Sequence, residues 1–90
     1  MNQCAVTESA QTEKQLKQIY HQLETQNSDD AERLQLLKQN QLLWLKYRET
    51  SCQYESSQYE GGSIQPLIYS SCITSLTKER VENLESYLLP

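Results

Sequence analysis

The chain is poor in the residues that many classes of small protein depend on. Its 90 residues include two glycines, two prolines, one tryptophan and no phenylalanine. With so few turn-forming residues, an all-β fold would lack the punctuation between its strands. The longest apolar run covers residues 42–45, and a membrane span needs roughly 18 residues. We therefore expect a helical protein without a membrane-spanning segment.

Positive charge is also scarce. Eight Lys and Arg residues stand against 12 Asp and Glu residues, which gives a net charge of −4. Because no basic cluster interrupts this acidic balance, nucleic acid is not an expected partner. The length predicts a single domain over residues 1–90 with a thin core.

Apolar residues recur at helical spacing in three segments. The first runs from about Asn2 or Thr7 to Thr25, the second from about Asp30 to Gln58, and the third follows Gly61 and Gly62. Three amphipathic helices joined by short breaks predict an all-α, antiparallel three-helix bundle.

The breaks contain residues that commonly begin helices. Ser28 or Asp29 is expected to cap the second helix, with Glu32 as a capping-box partner of Asp29. Ser63 is expected to cap the third helix, with Pro66 in its first turn.

Three cysteines are the main oddity of the composition, because one must be free or must pair outside the chain. A hairpin that turns at Gly61 and Gly62 places Cys52 level with Cys72. The first break brings Cys4 to a similar level, so register alone does not choose the pair. We favour Cys52–Cys72, which joins adjacent helices across the better-defined turn, with Cys4 as the alternative or unpaired cysteine. No metal site is predicted, because the cysteines lack zinc-ligand spacing.

The same register places two arginines on the inner faces of the helices. Arg80 comes level with Trp44, where its guanidinium could lie on the indole ring. Arg48 comes level with the start of the first helix, which predicts an Arg48–Glu8 ion pair. We interpret both arginines as structural.

Residues along almost the whole chain resemble the lysozyme inhibitor LprI-like (DUF1311) family of small exported bacterial domains. Met1-Asn2-x-Cys4-Ala5 and Leu16-x-x-Ile19-Tyr20 are similar to motifs at the family's N-terminal end. The motif residues of the hairpin are Gln41, Trp44, Tyr47, Arg48, Gly61, Gly62, Thr77 and Arg80.

The resemblance implies a helical domain located in the periplasm or secreted, with a signal segment ahead of residue 1 in the natural protein. It also implies a further cysteine upstream as a partner for Cys4. The implied activity is inhibition of lysozyme by binding, without a cofactor. In this interpretation Tyr59 is the anchor of an exposed loop, and Glu60 faces basic residues of the partner; the alternative is a plain helix-breaking turn.

Two other classes of function compete with inhibition of lysozyme. A structural or interaction module of the envelope, binding another exported protein, would need an exposed apolar strip. Leu36, Leu43 and Ile73 lie off the main apolar stripes, so they either supply such a strip or widen the core face. An enzyme is disfavoured, because His21 is a lone histidine on the expected surface of the first helix.

Overall fold

The computed structural model describes residues 2–89, with side chains from residue 8 onward. It contains three α-helices: α1 (Asn2–Gln26), α2 (Ala31–Ser57) and α3 (Gln65–Glu85). α1 and α3 run in the same direction and α2 runs against both. This confirms the predicted all-α, antiparallel three-helix bundle. None of the described helices is long and apolar enough to cross a membrane.

α3 is the central helix of the bundle. Both α1 and α2 pack against it, and they touch each other less. The buried apolar core consists of Leu16 and Leu23 from α1 with Val81 and Leu84 from α3. Partly buried side chains close around this cluster: Ile19, Leu37, Trp44 and Leu88. Because α2 meets mainly one neighbour, more than half of its circumference faces solvent.

The capping residues differ from those predicted. Asp30, not Ser28 or Asp29, caps α2, and its carboxylate accepts a hydrogen bond from the Arg33 backbone N–H at 3.1 Å. Ile64 occupies the cap position of α3 and makes no side-chain cap bond, so the prediction of Ser63 was wrong. Pro66 lies within the first two positions of α3. There it removes one of the backbone donors that a capping side chain would satisfy.

The predicted Arg48–Glu8 pair does not form. Arg48 pairs with Glu13, and Glu8 pairs with Lys78 of α3. α1 ends at Gln26 and α2 begins at Ala31, each one residue later than predicted, and this moves the level of Arg48 about two residues further along α1. The N-terminal part of α1 is also drawn towards α3, because α1 packs mainly on that helix.

Candidate functional site

The turn between α2 and α3, residues 58–64, forms an exposed tip at one end of the α2–α3 hairpin; we call it the hairpin tip. Tyr59 is 42% exposed, and Glu60 is also exposed. Gly61 has φ +81°, a left-handed conformation that L side chains rarely adopt. The backbone N–H of Gly62 donates to the Tyr59 carbonyl at 3.0 Å, which closes the turn. The tip is therefore a defined turn that presents Tyr59 and Glu60 to solvent.

A disulfide between Cys52 and Cys72 links α2 and α3 behind the tip, with their Cα atoms 5.5 Å apart. Both cysteines are buried, and the predicted pairing is confirmed. The side chain of Cys4 lies outside the described residues, so its alternative pairing stays untested. Because the disulfide stands between the tip and the apolar core, it holds the two helix ends that carry the tip.

The segment that surrounds the tip carries charge of one sign. Residues 49–77 contain Glu49, Glu55 and Glu60 but no Lys, Arg or His. All eight cationic residues of the chain lie in 14–48 and 78–80. The tip half of the hairpin therefore presents a negative surface, although the whole chain is only moderately acidic.

Below the tip half, two arginines converge on Trp44. The Arg48 guanidinium lies 4.9 Å from the indole centroid, and that of Arg80 lies 5.5 Å away. Arg80 is buried, and burial lowers its pKa. It donates to the Gln41 side-chain oxygen at 3.0 and 3.2 Å and to that of Asn40 at 2.7 Å. The predicted contact of Arg80 with Trp44 is thus confirmed.

Arg48 completes this cluster from the other side. It pairs with Glu13 of α1 and donates to the Thr77 hydroxyl at 2.9 Å. Thr77 is itself 1% exposed and donates to the Ile73 carbonyl. Tyr47, by contrast, is exposed on the outer side of α2. Of the hairpin motif, Gln41, Trp44, Arg48, Thr77 and Arg80 therefore meet in one place, whereas Tyr47 and the two glycines lie elsewhere.

The amide side chains that accept hydrogen bonds from Arg80 were not predicted from the sequence. Asn40 lies on the solvent side of α2, and Asn83, which accepts from Arg80 at 2.8 Å, is also exposed. A spacing of three residues between Arg80 and Asn83 on one helix was the available signal. His21 is exposed, as predicted, and its ring lies 3.9 Å from the Glu24 carboxylate. Among the described residues, no group of three or more His, Cys, Asp or Glu side chains could hold a metal ion.

Together, the fold and the tip define a small helical domain stapled by a disulfide, with its exposed turn at one end. The family model described as lysozyme inhibitor LprI matches residues 1–84, and the chain belongs to this family.

A relative in Rhizobium meliloti (strain 1021) is an uncharacterized protein, 33% identical over 55 residues. That match covers 61% of this chain and 40% of the relative, so the chain spans less than half of the relative's length. No solved structure matches.

Proposed function

We propose that the chain is an extracytoplasmic binding protein that inhibits lysozyme by placing the hairpin tip against the enzyme. The observation that carries the proposal is membership of the lysozyme inhibitor LprI family over residues 1–84. A buried disulfide supports the location, because disulfides persist in oxidising compartments outside the cytoplasm.

The shape of the tip supports its role as the contact surface. The molecule measures 49 × 23 × 15 Å, and a narrow end can approach a cleft that a broad face cannot. Tyr59 offers a large amphipathic ring, the kind of side chain that often dominates binding energy. The disulfide and the turn hydrogen bonds hold the tip before binding, which lowers the entropy cost of association.

Charge supports the same surface. With three carboxylates and no cation in residues 49–77, the tip half attracts a cationic protein such as a lysozyme. Glu60 lies at the turn, where it can meet a basic side chain of the partner. The proposal assigns binding and no catalysis, and it calls for no metal or cofactor.

Inhibition of cell-wall lysis by several purified lysozymes tests the proposal. We expect the oxidised chain, at micromolar excess, to slow lysis, and the double variant Tyr59→Ala/Glu60→Ala to lose most of this effect. The matched control is Glu85→Ala/Tyr87→Ala at the opposite end of α3. It removes the same two side-chain types and the same charge, and Tyr87 is 55% exposed.

Each outcome has a clear meaning. If the unmodified chain slows none of the lysozymes, inhibition is not its function. If both double variants still inhibit fully, inhibition stands but the tip is not the contact surface. Loss of inhibition in the control pair alone would move the contact to the other end of the bundle.

A second candidate function is a structural or interaction module of the envelope that binds another exported protein. The observation that favours it is the exposure of Leu36 and Leu43, which are 59% and 70% exposed and so do not widen the core. Ile73, the third residue outside the main stripes, is half-buried. Capture of a defined exported protein by the immobilised chain, without any effect on lysozymes, would favour this alternative.

A further inference from the structure

One side of α2 carries a regular row of exposed residues, which we call the outer stripe; most of its length faces solvent, and Asn40 at one flank also bonds to Arg80 of α3. Its members follow alternating steps of four and three residues: Leu36, Asn40, Leu43, Tyr47, Thr50 and Tyr54. Steps of this kind keep side chains on one line of a helix and form the contact seam of coiled coils. All six are exposed, and Tyr54 reaches 76%. The outer stripe is therefore a solvent-exposed helix seam, in which the Asn40 side-chain oxygen accepts from Arg80 while the leucine and tyrosine side chains stay exposed.

The outer stripe is complementary to itself in the antiparallel direction. In an antiparallel pair of α2 helices centred near residue 45, position 36 comes level with 54, 40 with 50, and 43 with 47. Leucine then meets tyrosine in four layers. In the other two, the Asn40 side-chain NH₂, whose oxygen is held by Arg80, can donate to the Thr50 hydroxyl oxygen. A two-fold contact requires such self-complementarity, because each surface must match its own copy.

Charge favours the same arrangement. The outer stripe contains no charged residue, although 22% of the chain is charged, so two acidic copies can meet there without burying like charges. Residues 31–48 carry four cations and one carboxylate, whereas 49–57 carry two carboxylates and no cation. An antiparallel pair sets the acidic end of one α2 beside the basic end of the other. A parallel pair would bring both acidic tips together.

The area is sufficient for a specific contact. From their exposed fractions, the two leucines and two tyrosines present roughly 600 Å² per copy, against about 800 Å² per partner in a standard interface. Polar neighbours on the same face supply the remainder. A groove of about 440 Å³ also opens beside Leu36, between Arg33 and Tyr87, and Tyr54 of a second copy comes level with it.

We propose that the chain forms an antiparallel homodimer through the outer stripe of α2. This contact is separate from the hairpin tip and does not depend on lysozyme inhibition. Sedimentation equilibrium of the oxidised chain between ~1 μM and ~1 mM, the span of ordinary dimer affinities, tests the proposal. We expect Leu43→Glu to raise the dimer dissociation constant at least roughly 30-fold, because it places two charges at the centre of the contact.

The adjacent leucine provides the control. Leu42 is 68% exposed, against 70% for Leu43, but lies about 100° away around the helix. Leu42→Glu should therefore keep the dimer while it makes the same chemical change. Circular dichroism of both variants must show unchanged helix content.

A photoreactive benzoylphenylalanine in place of Tyr47 tests orientation. Mixed light and heavy copies should cross-link it to the peptide that contains Leu43 of the second copy.

Several results would overturn the proposal. One is a chain that stays monomeric at ~1 mM, well above typical dissociation constants. Another is a dimer that Leu43→Glu leaves intact. A third is an equal loss of dimerisation in Leu43→Glu and Leu42→Glu. If the monomer instead bound anionic lipid vesicles and Leu43→Glu abolished that binding, the outer stripe would belong to a membrane surface. A cross-link between identical positions of a parallel pair would also contradict it.

Discussion

Arg80 is a buried cation whose hydrogen-bond acceptors are neutral amides. Within residues 8–89 it forms no ion pair; Gln41, Asn40 and Asn83 accept its N–H groups, and Trp44 covers one side. A guanidinium suits this place because its fork of donors reaches several acceptors at once. Gln41 is itself buried, so it depends on Arg80 for a donor. The pair therefore fixes the relative height of α2 and α3.

We predict that Arg80→Lys destabilises the protein by about 1–3 kcal/mol, because lysine cannot reach all three amides and leaves a buried acceptor unsatisfied. Urea unfolding followed by circular dichroism measures the change. Arg33→Lys is the control, since Arg33 is exposed and bonds to Asn27 at 3.2 Å. Arg33→Lys should change stability by less than about 0.5 kcal/mol. Equal losses of stability in the two variants would show that the hydrogen bonds of Arg80 stabilise the fold no more than those of an exposed arginine.

The chain also offers two ion pairs that differ in exposure. The side chains of Arg48 and Glu13 are 15% and 33% exposed, whereas those of Lys78 and Glu8 are 54% and 53% exposed. Water and salt screen the second pair more strongly. Both pairs join α1 to the hairpin, so their removal tests the same docking.

We predict a coupling energy of about 1–2 kcal/mol for Arg48–Glu13 and below about 0.5 kcal/mol for Lys78–Glu8. Double-mutant cycles with Arg48→Gln/Glu13→Gln and Lys78→Gln/Glu8→Gln give these values from urea unfolding. The cycle is needed because Arg48 also contacts Thr77 and Trp44. Repeating it in 1 M salt should reduce the second coupling to near zero. A larger coupling for the exposed pair would contradict this explanation.

At the scale of elements, the hairpin is held by different forces at its two ends. The apolar core lies between α1 and the second half of α3. Towards the tip, the described buried side chains are small: Cys52, Ser56 and Cys72. The disulfide therefore takes over where hydrophobic burial is thin.

We predict that Cys52→Ala/Cys72→Ala lowers the free energy of unfolding by about 3 kcal/mol, because the bridge closes a separation of 20 residues. This is a large share of the roughly 5–15 kcal/mol that stabilises a typical domain. Cys4→Ala in every sample prevents thiol exchange. Hydrogen exchange should accelerate most at the tip and least around Leu23 and Leu84. A loss below about 1 kcal/mol would mean that packing alone holds the tip.

The predictions from the sequence were accurate where the turn between two helices is sharply marked, and they failed where the position of the turn is ambiguous. The common level of Cys52 and Cys72 was predictable, since two glycines mark a short turn and helical rise converts numbers into heights. Register alone also brought Cys4 to that level, so the choice of pair depended on the better-defined turn between adjacent helices. The Arg48–Glu8 pair failed because the polar stretch before Asp30 offers several cap residues, and an error there moves all of α1 against α2. The burial of Thr77 and Val81 depends on the position at which α1 packs against α3. The spacing of apolar residues within one helix gives no information about that position.

The same limit applies to the candidate surfaces. The spacing of Leu36 and Leu43 sets them outside the main apolar stripes, but their exposure depends on whether α1 covers that side of α2. Tyr47 and Tyr54 are recognised as members of the outer stripe only when the alternating steps of four and three residues are continued from Leu36 along the whole of α2. The exposure of Tyr59 and Glu60 was easier to predict, because a turn with paired glycines seldom lies inside a small bundle.

At the scale of the whole molecule, the bundle is long for its chain length. Its radius of gyration is 15.2 Å, whereas a compact chain of this size has about 12 Å. The level of residue 45, where the outer stripe is centred, lies near the middle of α2. A two-fold pair built on the outer stripe therefore adds width and hardly any length, and it directs the two hairpin tips to opposite ends.

This geometry gives a last prediction, whose scattering part rests on the proposed dimer and whose binding part rests also on the proposed contact of the hairpin tip with a lysozyme. Small-angle X-ray scattering at high concentration should show a maximum dimension well below twice the 49 Å of one copy, while the radius of gyration of the cross-section rises. An end-to-end dimer would instead nearly double the length and cover the tips. Because the side-by-side pair leaves both tips free, each dimer should bind two partner molecules. Leu43→Glu should reduce this to one partner molecule per monomeric particle, without weakening the affinity of each tip. Titration calorimetry beside scattering separates these cases, since a dimer that binds one partner would place the two-fold contact at the tip.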